Sequence, residues 1–329
     1  MMYRRTLPTV RRPRRQHGLT LVELMVAAVI GLILTGGAIQ IFLSSKKAFA
    51  TTDAVSRVQE NGRYALQFMA RDIRGAGFWG CAQDVEMANQ TQYTGGGTPP
   101  FNFGGDPIVG TEGASGAPDS LTMRMAAQDR RKALVKQMPN TSANLFFSSV
   151  ANVKAGDIMI ITDCEAADIF MVSGVNSNNA NLGHNTGNTY NGVVNKQKEF
   201  SRNYGTSATA YSAREKTYSI GTTPGGEPAL VRTTNGVSEV LVAGISDMQL
   251  TYGVDTDNDE TVNVYVAAPD VGNWNNVLAV RIALLVRSKD DNVLDTPETY
   301  SYNGATVTAP DRRLYQPFTA TVTIRNRLP

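Results

Sequence analysis

The stretch at residues 17–43, "HGLTLVELMVAAVIGLILTGGAIQIFL", follows a leader that holds Arg4, Arg5, Arg11, Arg12, Arg14 and Arg15 and no acidic residue. From Leu19 to Leu43 only Thr20, Glu23, Thr35 and Gln40 interrupt the apolar run. As a helix rising 1.5 Å per residue, such a run covers roughly 37 Å, enough to cross a bilayer. No A-x-A-like cleavage site closes it, so it reads as a retained anchor rather than an ordinary signal peptide. The positive-inside bias then keeps the arginines in the cytoplasm and places residues 44–329 outside it. Within this run sits one carboxylate, Glu23. An ionised side chain at the centre of a membrane helix costs about 2.5–3.5 kcal/mol, so Glu23 calls for a partner.

The formal charge of +2 over 329 residues conceals an asymmetry. Removing the six leader arginines leaves 31 − 6 = 25 basic against 29 acidic residues after Gly18, a net −4. That excludes a broad basic surface for nucleic acid. The length suffices for one large domain or two small ones. Cys81 and Cys164 make an even count in an exported segment, which suggests a disulfide; two separate buried thiols are the alternative. Gly31, Gly36 and Gly37 fall in the apolar run, where each costs about 1 kcal/mol relative to alanine. The Gly36-Gly37 pair reads either as a local loosening of the helix or as small residues that let helices pack closely.

Beyond Ser44 the helical pattern changes character. Ala48, Val55, Val58, Gly62, Ala65, Leu66, Met69 and Ile73 follow three-and-four spacing, with Arg57, Glu60, Tyr64, Gln67, Arg71 and Arg74 as the opposite polar stripe. Gly75, Gly77 and Gly80 end the helix before Cys81. Between residues 82 and 118 the Gly and Pro content predicts an extended irregular loop, and the Asn-rich segment 176–192, which contains His184, predicts a solvated surface loop. Strands are predicted at 120–126, 157–162, 168–175, 209–220, 229–233, 237–242, 246–254, 261–267, 277–288 and 313–326. In the last of these Phe318, Ala320, Val322 and Ile324 share one face. The fold class is therefore α+β, a long N-terminal helix packed on an antiparallel β-sheet head.

Asp255, Asp257 and Asp259 in "YGVDTDNDE" recur at every second position, as oxygen ligands do in the first half of a calcium loop. The sixth and twelfth positions are Glu260 and Val266 rather than Gly and Glu, so a polar turn between two strands fits the same residues. Ca²⁺ is thus a candidate ligand, and no other cofactor is indicated. His17 lies in the leader and His184 in the Asn-rich segment, and no H-E-x-x-H, P-loop or G-x-S-x-G motif occurs, so the chain does not read as an enzyme.

The basic leader ending in Gly18, followed by Leu19-Thr20-Leu21-Val22-Glu23-Leu24 and an apolar helix, resembles the class III signal of type IV prepilins. "RDIRGAGFWGC" at 71–81, "YGVDTDNDE" at 252–260, "VRIALLVRS" at 280–288 and "FTATVTIRNR" at 318–327 resemble the PilW-type minor pilins more loosely. The resemblance implies that the prepilin peptidase cuts after Gly18 and methylates Leu19, and that Glu23 neutralises the new amine during assembly. It implies a pilin-like fold in four parts: leader 1–18, filament-core helix 19–46, amphipathic continuation 47–77 and β-rich head 78–329. It further implies a minor pilin in a priming or tip complex, serving twitching, adhesion or DNA uptake. Its partners would be other minor pilins, the major pilin and the inner-membrane assembly platform; its place would be the inner membrane with a periplasmic head, then the pilus. Two other readings share these features, a type II secretion pseudopilin and a membrane-anchored calcium-dependent adhesin that never enters a filament.

Overall fold

The apolar and amphipathic stretches form one helix, α1 (Leu21–Gly75). Its first bond runs from the Leu24 N–H to the Thr20 carbonyl at 3.2 Å. The protein is seen here as a computed structural model that describes residues 18, 20–81, 87–95 and 106–327. The chain falls into two units, one ending at Thr52 and one beginning at Asp53.

In the first unit every residue from Leu21 to Ala50 is exposed, with Leu21 at 75% and Phe49 at 76%. The described residues give the apolar run no cover. The helix passes unbroken through Gly31, Gly36 and Gly37, while the Thr35 hydroxyl donates back to the Gly31 carbonyl at 2.7 Å. Such back-bonding competes weakly with the helical ladder.

In the second unit α1 buries Val58, Gly62, Ala65, Met69, Asp72 and Ile73, one face at three-and-four spacing. Arg57, Glu60, Tyr64, Gln67, Arg71 and Arg74 form the exposed face. Gly62 is required by contact rather than conformation: a Cβ there would lie 2.5 Å from the Phe318 ring. The helix closes through the Ala76 N–H on the Ile73 carbonyl and the Phe78 N–H on that of Gly75, and Gly77 takes φ +73° to turn the chain away.

The strands among the described residues are, in order, β1 (Met87–Asn89), β2 (Thr91–Tyr93), β3 (Ile108–Thr111), β4 (Ser120–Ala133), β5 (Leu145–Phe146) and β6 (Ile158–Thr162). Next come β7 (Ala167–Met171), β8 (Gly174–Asn176), β9 (Asn181–Gly183), β10 (Val193–Asn195), β11 (Thr209–Thr222), β12 (Pro228–Thr234) and β13 (Val237–Ala243). The last six are β14 (Ile245–Val254), β15 (Val264–Val266), β16 (Val277–Arg287), β17 (Thr299–Tyr302), β18 (Ala305–Thr308) and β19 (Tyr315–Thr323). An eight-stranded sheet runs β1-β7-β6-β11-β12-β13, with β4 also on β11 and β3 on β4; the β1–β7 pair is parallel and the rest antiparallel. A four-stranded antiparallel sheet runs β15-β14-β16-β19. Three small sheets, β10-β2, β17-β18 and β5-β9-β8, complete the set.

The main core joins α1 to both large sheets: Val58, Met69 and Ile73 pack with Leu121, Met123, Tyr218 and Leu230 of one and with Met248, Leu250, Ile282 and Leu284 of the other. Each such side chain contributes about 1.5–3 kcal/mol through burial. A second core, around Phe147, Phe170, Leu182, Phe200 and Tyr204, lies beside β5-β9-β8.

Two predicted loops are more ordered than their composition suggests. The 82–118 segment carries β1, β2 and β3, its residues 82–86 and 96–105 lying outside the described set. The Asn-rich segment is only in part a solvated loop: residues 176–179 and 185–189 are exposed, but between them lies β9, with Leu182 fully buried and His184 1% exposed. Its polar side chains serve the backbone instead. Asn176 accepts from the N–H of Asn178 and Asn179, and Asn188 donates to the Ser173 carbonyl.

Candidate functional site

Gly18 precedes α1, Leu19 lies outside the described residues, and Thr20 stands at the helix N-cap. The Thr20 N–H and hydroxyl each donate to Glu23 Oε2 at 3.0 Å, while the Glu23 N–H donates to Thr20 Oγ1 at 3.2 Å. This is a capping box, written in the sequence as T-x-x-E and unrecognised in the reading above. It draws the Glu23 carboxylate toward the start of the helix, where the macrodipole favours an anion. Around it Leu21, Val22, Leu24 and Met25 are all more than half exposed. The result is a greasy helical surface with one acid at its first turn.

The three acidic residues of the β14–β15 connection do converge, with one oxygen of each of Asp255, Asp257 and Asp259 within 4.8 Å of the others. Asp255 is 6% exposed, and its carboxylate accepts from the backbone N–H of Asp257, Asn258 and Glu260 at 3.2, 2.7 and 2.9 Å. Burial works to raise this carboxyl, but those donors outweigh it and hold it below the usual carboxylate range. Asp257 and Asp259 are exposed. The donor set is all oxygen, which fits a hard cation such as Ca²⁺, and the turn is already closed by its own hydrogen bonds.

Cys81 and Cys164 form a disulfide with Cα atoms 4.7 Å apart, tying the segment after α1 to the turn between β6 and β7. Asp163 supports that turn through the N–H groups of Glu165 and Ala166.

Three buried polar groups escaped sequence reasoning. Asp72, 3% exposed on α1, accepts from Lys216 Nζ at 2.8 Å, the Tyr218 hydroxyl at 2.7 Å and Arg232 at 3.3 Å, with Arg71 at 3.7 Å. Burial opposes its charge, but Lys216, Tyr218 and Arg232 prevail and depress its carboxyl. Burial likewise pushes Lys216 down, and Arg232 and Arg214 add like charge, because several cations share one anion. Asp168 is fully buried and satisfied by neutral donors only: Gln90, the Ser201 N–H and hydroxyl, and Tyr204. His184 stacks on Phe200 with centroids 4.1 Å apart and bonds the Ala143 carbonyl at 2.9 Å. Asp72 was hidden because "MARDIRG" reads as the polar stripe; its three-residue offset from Met69 on the buried face was the available signal.

Residues 217–326 match the family described as "Type IV Pilus-assembly protein W", and residues 13–39 match the "Prokaryotic N-terminal methylation motif". The first match takes in the four-stranded sheet under α1 and the acidic turn; the second takes in Gly18 and Glu23. A solved structure, the Type IV-like pilin TTHA1219 from Thermus thermophilus, aligns at 12% identity and TM-score 0.33, covering 83% of this chain and 98% of that one. No curated protein sequence matches. The two matched segments support a type IV pilus minor pilin of the PilW type.

Proposed function

We propose that the chain acts, without catalysis, in the complex that primes type IV pilus assembly and sits at the fibre tip, supporting twitching, adhesion or DNA uptake. The observation that carries this reading is the uncovered apolar helix with Glu23 held at its first turn. In this reading the leader 1–18 is cut after Gly18 by the prepilin peptidase and Leu19 becomes the methylated first residue. The new amine lies one residue before Thr20, whose N–H already reaches Glu23 Oε2. A positive terminus at the positive end of a helix dipole, inside lipid or packed helices, needs an anion, and Glu23 supplies it in the same subunit or to a neighbour. Residues 19–46 form the filament core, 47–77 its amphipathic continuation, and 78–329 the head, periplasmic before assembly. Sister minor pilins, the major pilin and the inner-membrane platform are the partners.

Mass spectrometry of the protein from native cells tests this. The chain should begin at a methylated Leu19; retention of the arginine leader, or an unmodified start elsewhere, would overturn the proposal. Glu23→Ala should leave insertion and cleavage intact and abolish incorporation into pili, read by blotting sheared fibres.

A further inference from the structure

Two adjoining hollows of about 470 and 450 Å³ open beside the last turn of α1 and share Gly75, Phe78 and Gln128. Among the described residues their walls carry Arg71, Arg74, Arg214, Lys216 and Arg325 and the carboxylate of Asp72, which Lys216 and Arg71 already face at 2.8 and 3.7 Å. That carboxylate is already engaged by Lys216, Tyr218 and Arg232. Arg71, Arg74 and Arg325 are exposed at the rim. The end of a helix adds only about half a negative charge, too little to offset the two rim guanidiniums of Arg74 and Arg325. Between the charges lies an apolar floor of Phe78, Met125 and Ala127. A site of this make-up suits a ligand that offers carboxylates to planar guanidinium forks and an aliphatic side chain to the floor.

We propose that this cleft receives an acidic peptide segment of a neighbouring pilus subunit, with carboxylates flanking an aliphatic residue; the identity of that neighbour rests on the function proposed above, whereas the binding chemistry does not. Nucleic acid is disfavoured by charge. The chain after Gly18 carries 25 basic against 29 acidic residues, so a long polyanion leaving the cleft meets net repulsion.

The test uses the full chain in detergent micelles and fluorescence anisotropy with three labelled probes: the peptide GEDLEDG, its amide counterpart GQNLQNG, and a short DNA duplex. The acidic peptide should bind and the amide peptide should not. Arg74→Glu combined with Arg325→Glu should weaken binding by about tenfold or more, the scale of lost charge-assisted hydrogen bonds. Arg57→Glu, on the same helix but paired with Asp53 at 2.8 Å and away from the cleft, should bind as the wild type does. Equal binding of the two peptides, equal loss in the Arg57 variant, tighter binding of DNA, or no binding of any probe would each overturn the proposal. N-terminal processing is not the readout here, so failure of this test leaves the subunit assignment standing, and an uncut chain could still bind the peptide.

Discussion

Glu23 and Asp72 are carboxylates on one helix, and each meets the cost of holding charge away from water differently. Asp72 is buried, and the chain supplies its own cations from β11 and β12. Glu23 lies in an exposed apolar segment, and among the described residues its donors are the N–H and hydroxyl of Thr20. The charge of Asp72 is therefore answered within the head, whereas that of Glu23 meets no cation among the described residues. A charge answered within the fold is a stability device; in the function proposed above, one that awaits the new N-terminal amine, its own or a neighbour's, is an assembly device.

The sharpest way to break this comparison is to remove each acid in turn. Asp72→Ala should destabilise the head by about 3–5 kcal/mol, because it strands buried cations, measured by denaturant unfolding of the full chain in detergent. Glu23→Ala should leave that transition in place. Similar losses in both variants would contradict the assignment of roles. The pH dependence has a definite sign. Burial alone would raise the Asp72 carboxyl, yet Lys216, Tyr218 and Arg232 depress it. Its stabilisation is thus fully present above the unfolded value of about 3.9 and is lost as pH falls through the lower folded value.

Next in size is the bridge between Cys81 and Cys164, which closes a ring with a sequence separation of 83. Loop entropy caps its contribution at about 4–5 kcal/mol, and about 2–4 kcal/mol is usual. Cys81→Ser with Cys164→Ser should lower the stability of the head by that amount and leave N-terminal processing unchanged. A processing defect would show that the bridge acts on the N-terminal end of α1 and not on the head alone.

A smaller effect comes from His184. Burial lowers its pKa, against the Ala143 and Lys198 backbone bonds and nearby Asp168 that raise it, with the Lys198 charge acting in the same direction as burial. Below about pH 6.5 the unfolded chain takes up a proton that the folded one resists, so stability falls as pH drops from there toward the lower folded value. His184→Phe, which keeps the stacking on Phe200, should flatten this slope in thermal melts, while Asp72 still governs the more acidic range.

How legible these features were in the sequence follows from the same physics. Glu23 stands out because every neighbour is apolar, and the amphipathic stripe from Val58 to Ile73 is strong enough to fix the helix and its buried face. Long strands such as β11, β14 and β16 carry runs of β-type residues and were found to within a few residues. Short ones were not: β9 and its neighbourhood are built from Asn and Gly, whose side chains bond the backbone, so composition points to solvent while the fold points inward. Asp168 and Lys216 acquire their meaning only from partners 33 to 144 residues away, which no local pattern records.

The least effect is expected at the acidic turn, which offers a third solution to the same problem. The Asp255 carboxylate accepts from three backbone N–H groups, so the turn is closed by its own hydrogen bonds. Asp255→Ala should therefore cost about 1–2 kcal/mol, the scale of a lost cap, while a chelator should leave the melting temperature in place. Asp257 and Asp259 are exposed, so any Ca²⁺ held there would be held weakly, and stabilisation scales as RT ln(1 + [L]/Kd). Millimolar Ca²⁺ should then raise stability by less than about 1 kcal/mol. A larger rise that vanishes in Asp257→Ala with Asp259→Ala would move this turn from the class of Asp72, answered within the fold, to that of Glu23, which awaits a partner charge.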